Sequence, residues 1–489
     1  MKTVPGWEEE LPSKWYSGYI DAGTVNDFDL TYHYIFIESE NDPTSDPILL
    51  WSNGGPGASS FFGLFTEIGP FTLSSESLTT KAFNATGVPT LLRNHFGWTK
   101  FANLLILSGP PPVSFGYCNP PGPTGSGFQC GQWNDELTAE ANYNFLENFY
   151  VKFPHLSSHD LFLSGESYAG IYIPTLARKI LDNPESLLAS VLKGFAIGDG
   201  CVGKDIICSG GTGPRPIHQQ MFRIEFLHGH GQFSTLLYNR IKTACRQFEF
   251  KFRMDFIQSM DLGNSLDGNE ECLTQLAKVD AEVGAYFPYN LYDDCWDGTD
   301  EDSSSQTPRL RSYACGGQKA LSIWVGSDVV REALHVNLDS NFVSGDNGAG
   351  LNYSISERNL MPFYRHVAGE TPLRVLIYNG DTDPGLNSFV GESWTSSLGL
   401  NVKRSWRPYT LDGKKLMVGY ITQYMGKFRY IEFILNFRFI GFKILGNLDY
   451  MTIRGSGHMV PQYKPQVAAM FISRWLKNEA LPEFQSSKL

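Results

Sequence analysis

Six short runs limit the fold of this chain more than any other feature: PILLWSN (47–53), NLLILSG (103–109), HDLFLS (159–164), LKGFAIGDG (192–200), LRVLIYNGD (373–381) and LDYMTIRG (448–455). Several are apolar throughout and end in turn residues, without the alternation of a strand that faces water on one side. Such a strand needs cover on both faces, as in a mostly parallel sheet. Helix-like stretches lie between some of the runs. ELTAEANYNFLENFYVKF (136–153) begins acidic and repeats apolar residues at helical spacing. Strands alternating with helices predict an α/β fold, a mostly parallel central sheet flanked by helices.

From about Cys201 to Val325 the strand rhythm fades into Gly-rich loops, so 201–325 reads as a subdomain inserted over the sheet, between core parts 1–200 and 326–489. Its acidic stretch DDCWDGTDEDSSS has the composition of a calcium loop but not the pattern. Placing Asp293 first puts Cys295 at the third ligand position and Ser304 where the closing Glu belongs, so a solvated loop is expected. Net charge of −12 without a basic stripe argues against a nucleic-acid or anionic-membrane partner. The eight cysteines (118, 130, 201, 208, 245, 272, 295, 315) show no CxxC zinc or redox spacing, which points to loop disulfides in an oxidising compartment. Sequons at Asn84 and Asn352 agree. Against them, the opening MKTVPGWEEELPSKW lacks the apolar core of a signal peptide, so the expectation is a missing start or a cytosolic protein.

GKFRYIEFILNFRFIGFKIL (426–445) fits neither half of the scheme: twelve of the eighteen residues from Phe428 are Phe, Tyr, Ile or Leu. Arg429, Glu432, Arg438 and Lys443 interrupt it, so it is not a membrane span. Its neighbours VGYITQYMG and NLDYMTIRG read as strands that would join smoothly without it, as expected for a translated intron or a lineage-specific insert. The main spliced message tests this, since these codons present there would exclude an intron.

The chemistry centres on GESYAG (165–170), between HDLFLS and a helix-like segment. A serine hydroxyl needs a base within reach and an acid to orient that base. In doubly wound hydrolases the nucleophile occupies a sharp strand-to-helix turn, G-x-S-x-G, with small residues where the backbone is crowded. Here Gly165 and Ala169 flank Ser167. The required order of serine, acid, histidine is met by Asp381 or Asp383 in LIYNGDTDPG and by His458 in TIRGSGHMVP, each just beyond a strand. Asp381 could equally cap a turn. An oxyanion needs two backbone N–H donors. Tyr168 supplies one, and the loop WSNGGPGASS (51–60), through Gly54 and Gly55, supplies the other. No P-loop, HExxH or other metal motif competes, and no cofactor is expected.

With WSNGGPGASS, TEIGPF, GESYAG, NGDTDPG and GSGHMVP in one order, the sequence resembles the serine carboxypeptidases from LPSKWYSGYID to PQVAAMFISRWL. The resemblance implies an α/β-hydrolase fold with a cap after the sixth strand, and release of C-terminal residues from peptides, usually at acidic pH. It matches Ser167 to the nucleophile, Asp383 to the orienting acid and His458 to the base. Gly55 and Tyr168 match the oxyanion donors; Trp51, Asn53, Glu67 and Glu166 match the groups that receive the substrate's terminal carboxylate. An acid pair can do this if a shared proton lets carboxyls hydrogen-bond instead of repelling, with raised, coupled pKa values as the consequence. Lysosome, vacuole or secretion is the implied location, peptide C-termini the partners, and a homodimer is left open.

Three departures stand out. Ala58 replaces a cysteine that the family pairs with the match of Cys315, so Cys315 is free or re-paired. In SGPPPVSFGY (108–117), Ser114 and Gly116 stand exchanged, which puts the pocket shape in question. The 426–445 segment lies between acid and base, where it either displaces His458 or bulges from the surface. Two alternatives remain. One is an acyltransferase, disfavoured because Asn53 is intact; the other is an impaired member acting as a binding partner.

Overall fold

All six apolar runs enter one sheet. The computed structural model describes residues 1–208, 217–245, 270–293, 295, 315–346, 348–426, 428–432, 440–444 and 447–485. In chain order the sheet strands are β1 (Trp15–Val25), β2 (Phe28–Ile37), β3 (Ile48–Ser52), β4 (Asn103–Leu107), β5 (Leu161–Glu166) and β6 (Leu192–Gly198), followed by β7 (Arg374–Gly380), β8 (Asn401–Thr410), β9 (Met417–Met425) and β10 (Asn447–Ile453). Their spatial order is β1-β2-β4-β3-β5-β6-β7-β10-β9-β8, with the short strand Tyr117–Asn119 beside β2. From β4 through β10 every neighbouring pair is parallel. The flanking pairs are antiparallel.

The missing polar alternation has a direct cause. Leu50, Leu105, Leu163 and Ile377 enter one core, with helices α1 (Asp135–Lys152) and α2 (Ala169–Leu181). Leu49, Leu104, Phe162 and Leu376, one residue away in each strand, enter a second core on the other face. Both faces are therefore apolar, and each fully buried Leu or Ile contributes about 1.5–3 kcal/mol. The side chain of Asn134 accepts from Leu137 N–H and starts α1 one residue before the sequence pattern suggested.

Between β6 and β7 lie helices α3 (Ile217–Gly229) and α4 (Thr235–Ala244), whose Ile224, Phe226, Leu237 and Ile241 share a small core of their own with the Cys245–Cys272 disulfide. The other disulfides are Cys118–Cys130, Cys201–Cys208 and Cys295–Cys315, so Cys315 is re-paired. Most of the acidic stretch 293–305 lies outside the described residues. No helix among the described residues is long and apolar enough to cross a membrane.

β9 and β10 pair antiparallel as far as Met425 opposite Asn447, so the residues that 426–446 connect are already neighbours. Phe428–Glu432 and Ile440–Ile444 form a separate antiparallel pair, while 427, 433–439 and 445–446 lie outside the described residues. β10 then runs away from Asn447 toward His458, about 20 Å at strand rise. Met425 and Asn447, between which the segment is inserted, therefore stand at the opposite end of β10 from His458.

Candidate active site

β5 ends at Glu166 and α2 begins at Ala169, with Ser167 in the turn between them at φ 63°, in the left-handed region that non-glycine residues rarely adopt. Three backbone bonds hold it there: Ser167 N–H donates to Gly198 O at 3.0 Å, and Ser167 O accepts from Gly170 at 2.9 Å and Cys201 at 3.0 Å. Crowding explains the small neighbours. A Cβ on Gly165 would stand 2.4 Å from Ser52 O and 2.6 Å from Ala169 Cβ. A Cβ on Gly54 would stand 2.3 Å from Tyr168 N, so the NGGPG loop lies directly on the serine turn. Among the described residues, neither Gly55 N–H nor Tyr168 N–H has an acceptor.

The loops after β7 and β10 bring acid and histidine together: His458 Nδ1 lies 2.7 Å from Asp383 Oδ2, both side chains buried. The other oxygen of Asp383 accepts from Gly385 N–H at 2.8 Å and Leu386 N–H at 3.2 Å. Asp381 instead accepts from Gly455 N–H at 2.6 Å, stapling the two loops as a turn residue would. Burial opposes charging of His458, but Asp383 outweighs it and holds the imidazole pKa above its ordinary value. Ser167, Asp383, His458, Gly55 and Tyr168 all line one cavity of about 580 Å³. Phe222, Tyr289 and Tyr353 also line it, with Tyr289 beside His458 and Tyr353 beside Tyr168.

Beneath this floor the predicted carboxylate-binding groups meet, each no more than 5% exposed. Trp51 Nε1 donates to Asn53 Oδ1 at 2.8 Å, and Asn53 Nδ2 donates to Glu166 Oε1 at 2.9 Å. Glu67, in the π-helical turn Leu64–Ile68, touches Glu166 carboxyl to carboxyl. Both Glu67 oxygens and Glu166 Oε2 are buried without a donor. Two ionised carboxylates cannot share such a site, and a proton between them supplies the missing donor. Burial pushes Glu67 up to about 7, and burial together with Glu67 pushes Glu166 well above the carboxylate range.

The exchanged pair in 108–117 sits outside the cavity lining. Ser114, at φ 59°, places its hydroxyl 2.5 Å from that of Ser59 and pairs through its backbone with Val343, tying three loops together. Three further residues at the site carry little sequence signal. Tyr289 O accepts from His458 N–H at 2.8 Å, and Asn290 Oδ1 accepts from Thr382 Oγ1 at 2.8 Å, so the 201–325 segment grips both loops. Nothing local marks these two. Asp199, directly after β6, brings a carboxyl oxygen within 4.8 Å of one of Asp383; in LKGFAIGDG an acid between glycines reads as a turn residue.

The model of the serine carboxypeptidase family matches residues 5–478. Similar curated proteins include serine carboxypeptidase-like 20 of Arabidopsis thaliana, 28% identical over 98% of this chain and 93% of that protein. The lysosomal protective protein of Mus musculus is 28% identical over 97% and 93%. Among solved structures, a prohormone-processing carboxypeptidase from Saccharomyces cerevisiae superposes with a TM-score of 0.66 at 19% identity, over 95% of this chain and 91% of that one, which shows the shared α/β-hydrolase fold. With the serine turn, the acid–histidine pair and the family match along nearly its whole length, the chain belongs to the serine carboxypeptidases.

Proposed function

We propose that this chain releases C-terminal residues from peptides through an acyl-enzyme on Ser167. Ser167 Oγ attacks the last peptide carbonyl and passes its proton to His458 Nε2, while Asp383 keeps the Nδ1 proton in place and favours the imidazolium. Gly55 and Tyr168 N–H groups receive the negative charge on the carbonyl oxygen. The leaving amine takes the proton from His458, and water, activated by the same imidazole, frees Ser167. The observation that carries this reading is the 2.7 Å contact of His458 with Asp383 on the wall of the cavity that Ser167 also lines.

Glu67 and Glu166 give the reading its direction. With Trp51 and Asn53 behind them, one proton shared between them and a second on Glu67 free to reach the substrate, they receive a terminal carboxylate by hydrogen bonding without a cation. That binding needs the second proton, so it favours acid solution, whereas His458 must be neutral to act as base. Peptide acids then turn over between these two limits, in a bell-shaped profile. The segment 201–325 serves as the cap, supported by Phe222, Tyr289 and the Cys201–Cys208 bridge along the cavity. Four disulfides and a relative named lysosomal support a lysosomal, vacuolar or secreted location. The test is hydrolysis of an N-blocked dipeptide across pH with Ser167→Ala as control; undiminished hydrolysis by that variant would end the reading.

A further inference from the structure

We infer that Asp199 is a positioning residue for the acid–histidine pair: a neutral carboxyl that donates a hydrogen bond to Asp383 and fixes it as the anion. The inference rests on the proposed roles of Ser167, Asp383 and His458.

The geometry is a buried cluster of three groups. A carboxyl oxygen of Asp199, one of Asp383 and a ring nitrogen of His458 all lie within 4.8 Å of one another, and Asp199 and Asp383 are wholly buried. Asp383 already has the ligands of an anion, namely the imidazole and two backbone N–H groups. Asp199 has weaker company. Gly380 N–H is shared between its two oxygens, at 3.0 and 3.2 Å, and Asn379 Nδ2 donates to one of them at 3.3 Å, with no lysine or arginine among its partners. When two carboxyls stand this close in a buried site, one keeps its proton, and it is the one with the weaker donors and no cation.

The groups facing Asp199 agree. Asp383 stands on the loop after β7, Glu166 at the end of β5, Tyr378 on β7 and Tyr450 on β10; none is cationic, and His458 is already paired with Asp383. Burial and then Asp383 raise the Asp199 pKa well above the carboxylate range. With its φ at 42°, Asp199 is set by the turn that follows β6, and Gly198 of that strand also accepts from Ser167 N–H. One turn therefore positions both the serine backbone and the acid. Protonated, Asp199 withdraws negative charge from Asp383 and so moderates the imidazole pKa.

The test is the rate of fluorophosphonate labelling across pH, which involves no substrate carboxylate and so bypasses Glu67 and Glu166. Asp199→Asn replaces one neutral donor with another, so its rate should stay within about threefold of the parent, with the acid-limb midpoint unchanged. Asp199→Ala should slow labelling about 10- to 100-fold and move the acid limb up by about half a pH unit or more, because Asp383 then holds the imidazolium more tightly. On an amide substrate its loss should fall on kcat and spare KM. A downward shift of about one unit in Asp199→Asn would mean that Asp199 is an anion, and would overturn the inference. So would an Asp199→Asn enzyme as slow as Asp199→Ala, or an Asp199→Ala midpoint equal to the parent's, whatever its rate. If the parent does not label, or Ser167→Ala labels as well as the parent, the proposed function fails as well; otherwise the failure belongs to Asp199 alone.

Discussion

Raising the pH should weaken attack on a peptide acid while sparing the same peptide as its C-terminal amide. Glu166, raised well above the carboxylate range, holds the proton shared within the pair, and Glu67, at a pKa of about 7, carries the second proton, the one that hydrogen-bonds to a substrate carboxylate. If that proton must be present for a peptide acid to bind, the competent fraction is nearly complete at pH 5. It falls to about one tenth at pH 8 and about one hundredth at pH 9, or 1.4 kcal/mol per unit. The amide carries no charge to accommodate, so its kcat/KM follows His458 alone. Taking the ratio of kcat/KM for acid over amide cancels the His458 titration common to both. That ratio should be flat below about pH 6 and fall about tenfold from pH 6 to 8. In Glu67→Gln the side-chain amide is a permanent donor, and the fall should shrink to less than about twofold. Progress curves for a blocked dipeptide and its amide over pH 5–9 give the ratio. A parent ratio that stays level, or a Glu67→Gln ratio that keeps the slope, would refute the shared-proton account.

Replacing residues 426–446 with an Asn-Gly turn should leave kcat/KM within about twofold, because Met425 and Asn447 are already paired and stand at the far end of β10 from His458. A loss above about tenfold would contradict that separation. Alkylation of unfolded, unreduced protein should attach no label to any of the eight cysteines, and a labelled Cys315 would contradict the Cys295–Cys315 pairing. His33 is buried and hydrogen-bonded to Ser17 and the Leu334 carbonyl, and burial lowers its pKa from 6.5 to about 4. Its folded value lies below its unfolded one, so the stability it contributes is present above pH 6.5 and lost as pH falls through about 4. The advantage of the parent over His33→Asn in urea denaturation should therefore shrink by about 3 kcal/mol between pH 7 and pH 4, and an unchanged advantage would contradict a neutral buried His33.

The centre of the sheet was legible because two-sided burial leaves its strands apolar throughout. Its edges were not. β1 and β2 are joined by Asn26 and Asp27, both at positive φ, in a hairpin; β1 mixes buried with exposed and half-buried residues, and Asp29, Thr31 and His33 interrupt the apolar run of β2. β8 is an edge strand with most residues exposed or half-exposed, and its Lys403, Arg404 and Arg407 hide it from a hydrophobic pattern. At the site, residues in Gly-rich loops at strand ends were found because that chemistry demands a fixed order along the chain. Tyr289 and Asn290 reach the same loops from the inserted segment, a long-range contact that no local pattern encodes. Asp199 was visible as a residue but not as a partner of Asp383, since only the parallel pairing of β6 with β7 brings the two acids together. The cysteine pairs stayed open because spacing alone does not select among pairings.

The central claim is that Ser167 removes residues from the carboxyl end of a peptide. Mass spectrometry of a long peptide incubated with the enzyme at acidic pH tests it most directly. The expected result is a ladder shortened one residue at a time from the C-terminus, absent with Ser167→Ala. A ladder from the amino end, internal cleavage, or an equal ladder from Ser167→Ala would contradict it.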